Sequence, residues 1–174
     1  IYTIRNTLSL HDALPISAYQ TEDFNESLGV NDRVALAYAN TVMRERINHQ
    51  HMLNGVTLVD PATTFIDADV VIGSDTVIEG NVTIKGKTVI GEDCVITNGS
   101  QIVDSQIADA VVIKASVVEN SIIHQQADVG PYAHLRPHSE IGAKAHIGNY
   151  VEIKNATIGE ETKVGHLTYV GDAT

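Results

Sequence analysis

The chain has 174 residues, of which 22 are Asp or Glu and 11 are Lys or Arg, so its formal net charge is -11, and 43% of its residues are hydrophobic. This composition excludes a disordered polyelectrolyte, and the negative charge disfavours nucleic acid and anionic membrane surfaces as partners. The single cysteine, Cys94, excludes an intramolecular disulfide, and no apolar run is long enough for a membrane span or a secretion signal. We therefore expect a folded cytoplasmic protein.

The first 16 residues, IYTIRNTLSLHDALPI, resemble the translation of an indexed short-read sequencing adapter, because every fixed base of such an adapter fits these codons. We interpret residues 1–16 as foreign and expect them to pack against nothing specific. The native part of a truncated protein then begins near Ser17.

Residues 17–31 are polar and acidic without a period, which predicts a loop or the last strand of an upstream domain. Asn31 or Asp32 can cap a helix that runs to about Leu53 and is ended by Asn54 and Gly55. Two sets of residues characterise this helix, an apolar stripe at Val34, Tyr38, Val42, Ile47 and Leu53 and cations expected on a solvated face at Arg33, Arg44, Arg46, His49 and His51.

From Ile66 onward an aliphatic residue recurs every five or six residues, a period that fits neither a helix nor a half-buried strand. A small or β-branched residue follows four positions after each, as at Thr76, Val82, Thr88, Cys94 and Ser100. Two inward positions per six residues are typical of hexapeptide repeats, in which three short strands close one coil of about 18 residues, stacked about 4.8 Å from the next. Residues 66–174 then make roughly six coils of a parallel β-helix. We expect Cys94 to be a buried, unreactive thiol.

Three motifs in the last third of the chain are HLRP (134–137), GNYVEIK (148–154) and GHLTYVGDA (165–173). Together with SAYQTEDFNESLGVNDRVALA (17–37), they resemble the bacterial bifunctional N-acetylglucosamine-1-phosphate uridyltransferase / glucosamine-1-phosphate acetyltransferases. The resemblance implies an all-β, single-stranded left-handed parallel β-helix preceded by one linker α-helix. Residues 17–31 would be the end of the uridyltransferase domain, residues 32–54 the linker helix and residues 55–174 a truncated acetyltransferase domain.

In that family the β-helix forms a homotrimer and transfers the acetyl group of acetyl-CoA to glucosamine 1-phosphate. The upstream domain, with Mg²⁺, then transfers UMP from UTP to give UDP-N-acetylglucosamine for cell-wall synthesis. Matched residue by residue, His166 is the catalytic base, Arg136 and Lys154 hold the sugar phosphate, and Tyr169 contacts the sugar. Asn31 matches a residue that contacts the nucleotide sugar and the magnesium ion. We expect this 174-residue chain itself to be inactive in both reactions.

The spacing of Arg136 and Lys154 supports a phosphate site independently, because 18 residues correspond to one coil and place both cations on one face. Without the resemblance, both cations and His166 would be assigned as solvated surface residues. His134, His138 and His146 could also lie close enough to His166 for a zinc site, although the surrounding motifs lead us to expect no zinc. The rival hypothesis for the whole protein is a non-catalytic trimeric scaffold.

Overall fold

A computed structural model describes residues 20–173 of the chain, so the segment 1–16 lies outside the described residues. Contacts divide the chain into two compact units, one ending at Ala39 and the other beginning at Asn40. Within residues 20–173, no helix is both long and apolar enough to cross a membrane.

The described part of the first unit contains a short 3₁₀ helix, Phe24–Ser27, where the sequence predicted a loop or a strand. Asp23 caps this helix, and its Oδ1 accepts a hydrogen bond from the backbone N–H of Asn25 (2.9 Å). A four-residue helix is too short to leave a hydrophobic period, which explains why the pattern did not predict it.

The one α-helix of the described chain, α1, spans Arg33–Leu53 and contributes residues to both units. Of the two candidate caps, Asp32 is the one used, because its Oδ1 accepts a hydrogen bond from the N–H of Ala35 (2.7 Å). The helix ends at Leu53, and the positive φ of 92° at Gly55 lets the N–H of Val56 reach the carbonyl of His51 (3.1 Å).

The apolar stripe predicted for α1 is largely wrong, since Val34, Tyr38 and Leu53 are exposed and only Ile47 packs against the core. The buried residue is Asn48, which is 1% exposed. Its Nδ2 donates to the carbonyls of Pro61 (2.9 Å) and Thr64 (3.0 Å). In the first coil these carbonyls have no earlier coil to bond with, so Asn48 satisfies acceptors at the open end of the solenoid.

Of the cations expected on a solvated face of α1, Arg33, Arg46 and His49 are exposed, whereas Arg44 and His51 are partly buried. Arg44 lies over the ring of Phe65, with its Cζ 5.0 Å from the ring centroid. Burial lowers the pKa of His51, which favours the neutral imidazole. Both side chains are therefore partly shielded by the second unit to which they belong.

Residues 57–171 form twenty short parallel strands in three sheets, which confirms the predicted left-handed parallel β-helix. Sheet A contains β1 (Thr57–Leu58), β4 (Val77–Ile78), β7 (Val95–Ile96), β10 (Val112–Ile113), β13 (Asp128–Val129), β16 (His146–Ile147) and β19 (Lys163–Val164). Sheet B contains β2 (Phe65–Ile66), β5 (Thr83–Lys85), β8 (Gln101–Val103), β11 (Val117–Glu119), β14 (His134–Leu135), β17 (Glu152–Lys154) and β20 (Tyr169–Gly171). Sheet C contains β3 (Val71–Ile72), β6 (Val89–Ile90), β9 (Gln106–Ile107), β12 (Ile122–Ile123), β15 (Glu140–Ile141) and β18 (Thr157–Ile158).

Three consecutive strands make one coil, so β1–β3 form coil 1, β13–β15 form coil 5, β16–β18 form coil 6, and β19 and β20 belong to coil 7. The inward residue of each coil is in register with its equivalent in the next, as Ile84 is with Ile102 and Ile141 is with Ile158. The second inward set is buried as predicted, and burial raises the pKa of the Cys94 thiol. These stacked aliphatic side chains are the core.

Glycine follows the inward isoleucine of sheet C in several coils because the next coil passes too close for a side chain. A Cβ on Gly142 would lie 2.6 Å from the carbonyl carbon of Gly159 and from the backbone nitrogen of Glu160. The equivalent Gly159 follows β18, the edge strand of sheet C, so no described coil covers it and a Cβ there would meet only Thr162 Oγ1 at 3.5 Å. The close approach of the following coil therefore excludes a side chain at position 142, whereas no described coil lies over position 159.

We expect Gly142→Ala to destabilise the chain by about 1–3 kcal/mol, because backbone must move to admit the methyl group. The matched Gly159→Ala change should alter stability by less than about 1 kcal/mol, since its methyl group meets no backbone. Urea unfolding followed by circular dichroism measures both. Equal losses for the two variants would contradict this assignment of coil spacing.

Candidate active site

The outer face of sheet B brings Arg136 and Lys154 together on adjacent coils. Leu135 is in register with Ile153, and the N–H of Arg136 donates to the carbonyl of Ile153 (2.8 Å). Side chains alternate along a strand, so the residue after each inward aliphatic points outward. We call these outward residues of coils 4 to 7 the trailing row: Glu119, Arg136, Lys154 and Gly171.

Each cation of the trailing row already has a carboxylate partner. Arg136 Nη1 lies 2.9 Å from Glu152 Oε1, and Lys154 Nζ lies 3.8 Å from Asp172 Oδ2. Asn155 Nδ2 also donates to Asp172 (2.9 Å). Both cationic side chains are 41% exposed. Because exposed ion pairs contribute only about 0–1 kcal/mol, an incoming phosphate can replace these carboxylates at little cost.

Tyr169 adds a hydroxyl to the same row. It begins β20 in register with Glu152, while Gly171 is in register with Lys154. The phenol ring lies across Gly171, so that any Cβ at that glycine would collide with the ring and its hydroxyl. Arg136, Lys154 and the Tyr169 hydroxyl therefore occupy three consecutive coils of one row.

His166 lies apart from the cations, in the turn between sheets A and B that precedes β20. Lys154 ends β17 and is in register with Gly171, so along the strand direction of sheet B the order is the turn of His166, then Tyr169, then the level of Lys154. Thr168 Oγ1 donates to the carbonyl of His166 (3.2 Å), but within residues 20–173 the exposed imidazole has no hydrogen-bond or ion-pair partner. The ring is thus free to meet a ligand.

The other histidines do not gather around His166. His146 is on sheet A, His134 is on sheet B, and His138 is in the turn after Arg136. His134 and His146 each contact a carboxylate of the preceding coil, at 2.9 and 2.8 Å. The described residues contain no group of three or more His, Cys, Asp or Glu arranged to hold a metal ion. The histidine spacing that raised a zinc alternative therefore places these residues on different faces.

Asn31, the predicted magnesium contact, lies in the first unit and is exposed. It offers one amide oxygen, and the neighbouring Asp32 carboxylate is engaged as the helix cap. Mg²⁺ requires near-octahedral oxygen coordination, usually with carboxylates. In the part of the chain that the structure describes, the residues near Asn31 do not fit a magnesium site.

Sequence reasoning did not identify Glu152, Asp172 or Gly171 as parts of this site. Glu152 could have been found, because it lies two residues before Lys154 and so shares the same outward face. The role of Gly171 depends on how the ring of Tyr169 is turned, which no spacing reveals.

Two protein-family models match the chain. The model of the bacterial transferase hexapeptide (six repeats) matches residues 69–103, and the GlmU-like C-terminal hexapeptide model matches residues 95–174. Among solved structures, the acetyltransferase domain of PglB from Neisseria gonorrhoeae aligns with a TM-score of 0.55 at 13% identity, over 72% of this chain and 63% of that one. At that identity, the likeness concerns the fold alone.

Curated relatives are much more similar in sequence. The bifunctional protein GlmU of Enterococcus faecalis is 67% identical over 159 residues, which are 91% of this chain and 35% of that protein. The GlmU of Lactobacillus delbrueckii subsp. bulgaricus is 63% identical over 91% of this chain and 34% of its own length. The chain spans about a third of the length of these relatives, and it belongs to the GlmU family.

Proposed function

We propose that the protein to which this segment belongs acetylates glucosamine 1-phosphate with acetyl-CoA. The sugar amine attacks the thioester carbonyl, a C–N bond forms, and the C–S bond breaks to release the coenzyme A thiol. His166 accepts the proton that the amine loses, and the departing thiolate is protonated. General-base catalysis of this kind typically contributes about 10² to 10⁴ in rate.

One observation carries this proposal: Arg136 and Lys154 stand in register on adjacent coils, with the Tyr169 hydroxyl continuing their row. Two cations one coil apart suit a phosphate dianion. The amine and the phosphate of the substrate are on neighbouring sugar carbons, so a sugar lying over Tyr169 would present its amine toward the His166 side. Family membership supports the assignment of the sugar.

Uridylyl transfer from UTP with Mg²⁺, giving UDP-N-acetylglucosamine, is the other half of the proposed activity, and a cytoplasmic location goes with it. Membership of the GlmU family supports this half, and Asn31 is the described residue proposed to touch the nucleotide sugar.

We further propose that the protein assembles as a homotrimer. Tyr132, Tyr150 and Leu167 occupy the same corner of three consecutive coils, all with positive φ of 55–59°, and they are 57–74% exposed. The two tyrosine rings stack with centroids 5.3 Å apart. The left-handed conformation costs a bulky residue roughly 1–2 kcal/mol. Because these side chains are exposed, burial within one chain does not offset that cost.

This aromatic corner runs parallel to the solenoid axis with the spacing of the coils. A second copy of the chain presents side chains at that same spacing, and aromatic residues are enriched in interface cores. Parallel prisms that meet at one corner can close into a ring. His166 immediately precedes Leu167 in this corner, so a neighbouring copy would approach the proposed base.

The acetyl-transfer proposal predicts the effect of His166→Ala in a protein of the relatives' full length that carries this segment. We expect kcat to fall about 10²–10⁴-fold with a smaller change in KM for glucosamine 1-phosphate, because the base acts in the chemical step. Release of the coenzyme A thiol measures the rate, and His124→Ala on sheet C is the control.

Absence of acetyl transfer by that full-length protein would favour the non-catalytic scaffold. Equal rates for His166→Ala and the control would remove His166 from the proposed chemistry. The same assay, applied to the 174-residue chain, tests the expectation that this chain is inactive.

The trimer proposal predicts that Tyr150→Asn weakens assembly without lowering the thermal stability of the dissociated chain. Asn tolerates positive φ better than Tyr, so the substitution relieves strain while it removes an apolar contact. Light scattering after gel filtration measures the mass, and Lys144→Asn, at φ 56° on another corner, is the matched control. A trimer that survives Tyr150→Asn at low micromolar concentration would contradict the assignment of this corner.

A further inference from the structure

The trailing row of sheet B has a second outward row beside it. We call the residues before each inward aliphatic the leading row: Val117, His134, Glu152 and Tyr169. The ion pairs cross between the two rows. Glu119 Oε2 of the trailing row accepts a hydrogen bond from His134 Nε2 of the leading row (2.9 Å), and Arg136 of the trailing row pairs with Glu152 of the leading row (2.9 Å).

Glu119 is placed to compete for Arg136. Val118 is in register with Leu135, so Glu119 is the trailing-row neighbour of Arg136 on the preceding coil. Adjacent strands lie about 4.8 Å apart, which brings the guanidinium within reach of that carboxylate. The structure instead shows Glu119 turned toward His134. His134 thus forms a hydrogen bond with the carboxylate that would otherwise pair with Arg136, the proposed phosphate-binding arginine.

Without His134 as its partner, Glu119 would add an unpaired carboxylate to this face. Arg136 and Lys154 supply two positive charges, and each is paired, with Glu152 and with Asp172. Glu119 adds a third carboxylate, and its partner is His134. The groups facing His134 are Val117 and Glu119 from coil 4, Glu152 from coil 6 and Arg136 on its own strand. A phosphate dianion approaching this face would meet the negative charge of Glu119 beside Arg136 if that carboxylate were released from His134.

We propose that His134 is a positioning residue of the sugar-phosphate site, which acts by holding the Glu119 carboxylate in a hydrogen bond, so that Arg136 is left for the phosphate. This inference rests on the proposed function, and it gives His134, the first residue of the HLRP motif, a role that the residue-by-residue match with the family did not assign. It assigns no contact between His134 and the substrate.

The test compares His134→Arg with His134→Gln at pH 7.5, where one replacement carries a permanent charge and the other none. One positive charge near a phosphate dianion in water-like surroundings changes affinity by roughly five- to ten-fold. We therefore expect the His134→Arg chain to bind glucosamine 1-phosphate roughly five- to ten-fold more tightly than the His134→Gln chain. Chemical-shift titration of the 174-residue chain measures the dissociation constants, and glucosamine without phosphate should show no such difference.

His124→Gln is the matched control, because His124 Nε2 pairs with Glu140 Oε1 on sheet C at 2.8 Å with similar exposure. His124→Gln should leave the affinity for glucosamine 1-phosphate unchanged. If His134 had only a structural role, His134→Gln and His124→Gln would have the same effect on stability and on binding. Adding Glu119→Gln to His134→Gln should restore the lost affinity, since it removes the unpaired charge.

Equal affinities of His134→Arg and His134→Gln, or no rescue by Glu119→Gln, would overturn the inference about His134 alone. Failure of both the wild-type and the His134→Arg chains to bind glucosamine 1-phosphate would instead overturn the phosphate site of Arg136 and Lys154. The acetyl-transfer assay of the full-length protein tests the proposed function separately. Binding by the wild-type chain that Arg136→Gln weakens, with no dependence on residue 134, would keep the phosphate site and remove only His134 from it.

Discussion

The hydrogen-bonded register between successive coils is the constraint on which the rest of the structure depends. Each strand donates its backbone N–H groups to the next coil, as Arg136 does to Ile153 (2.8 Å), and the inward aliphatic residues stack in the same register. A shift by one residue would turn the whole core outward. Because the register is set by buried side chains, residues one coil apart on the surface are held at a fixed spacing. The proposed phosphate row of Arg136 and Lys154 is a consequence of that spacing.

The fixed register between coils also aligns the corner residues, so that equivalent residues of successive coils share the same positive-φ position. At the corner between sheets A and B, Asn81, Gly99 and Ala115 occupy the positive-φ position in the earlier coils, and Tyr132, Tyr150 and Leu167 occupy it in the later ones. Small residues and Asn suit that conformation, whereas bulky ones are strained in it. The change occurs in the same coils that carry Arg136, Lys154 and His166. Strain and the proposed site therefore coincide in the last coils of the described chain.

Much of the solenoid could be predicted from sequence because its determinants are periodic. The inward isoleucines, the buried thiol of Cys94 and the shared face of Arg136 and Lys154 all follow from counting residues. What counting missed depends on single side-chain conformations, such as the ring of Tyr169 lying across Gly171. The helix was misjudged for a related reason: its buried position is held by Asn48, a polar residue that bonds to two free carbonyls and adds nothing to an apolar stripe.

The most direct test of the central claim is to map glucosamine 1-phosphate on the chain by side-chain and backbone chemical shifts in solution. We expect the largest changes at Arg136, Lys154 and Tyr169 on sheet B, because the coil register places their polar groups in one row. The cavity of about 260 Å³ on the sheet C side, lined in part by Gln106 and Ser139, should show none. Changes centred on that cavity, with none at Arg136 and Lys154, would contradict the claim that this row is the sugar-phosphate site.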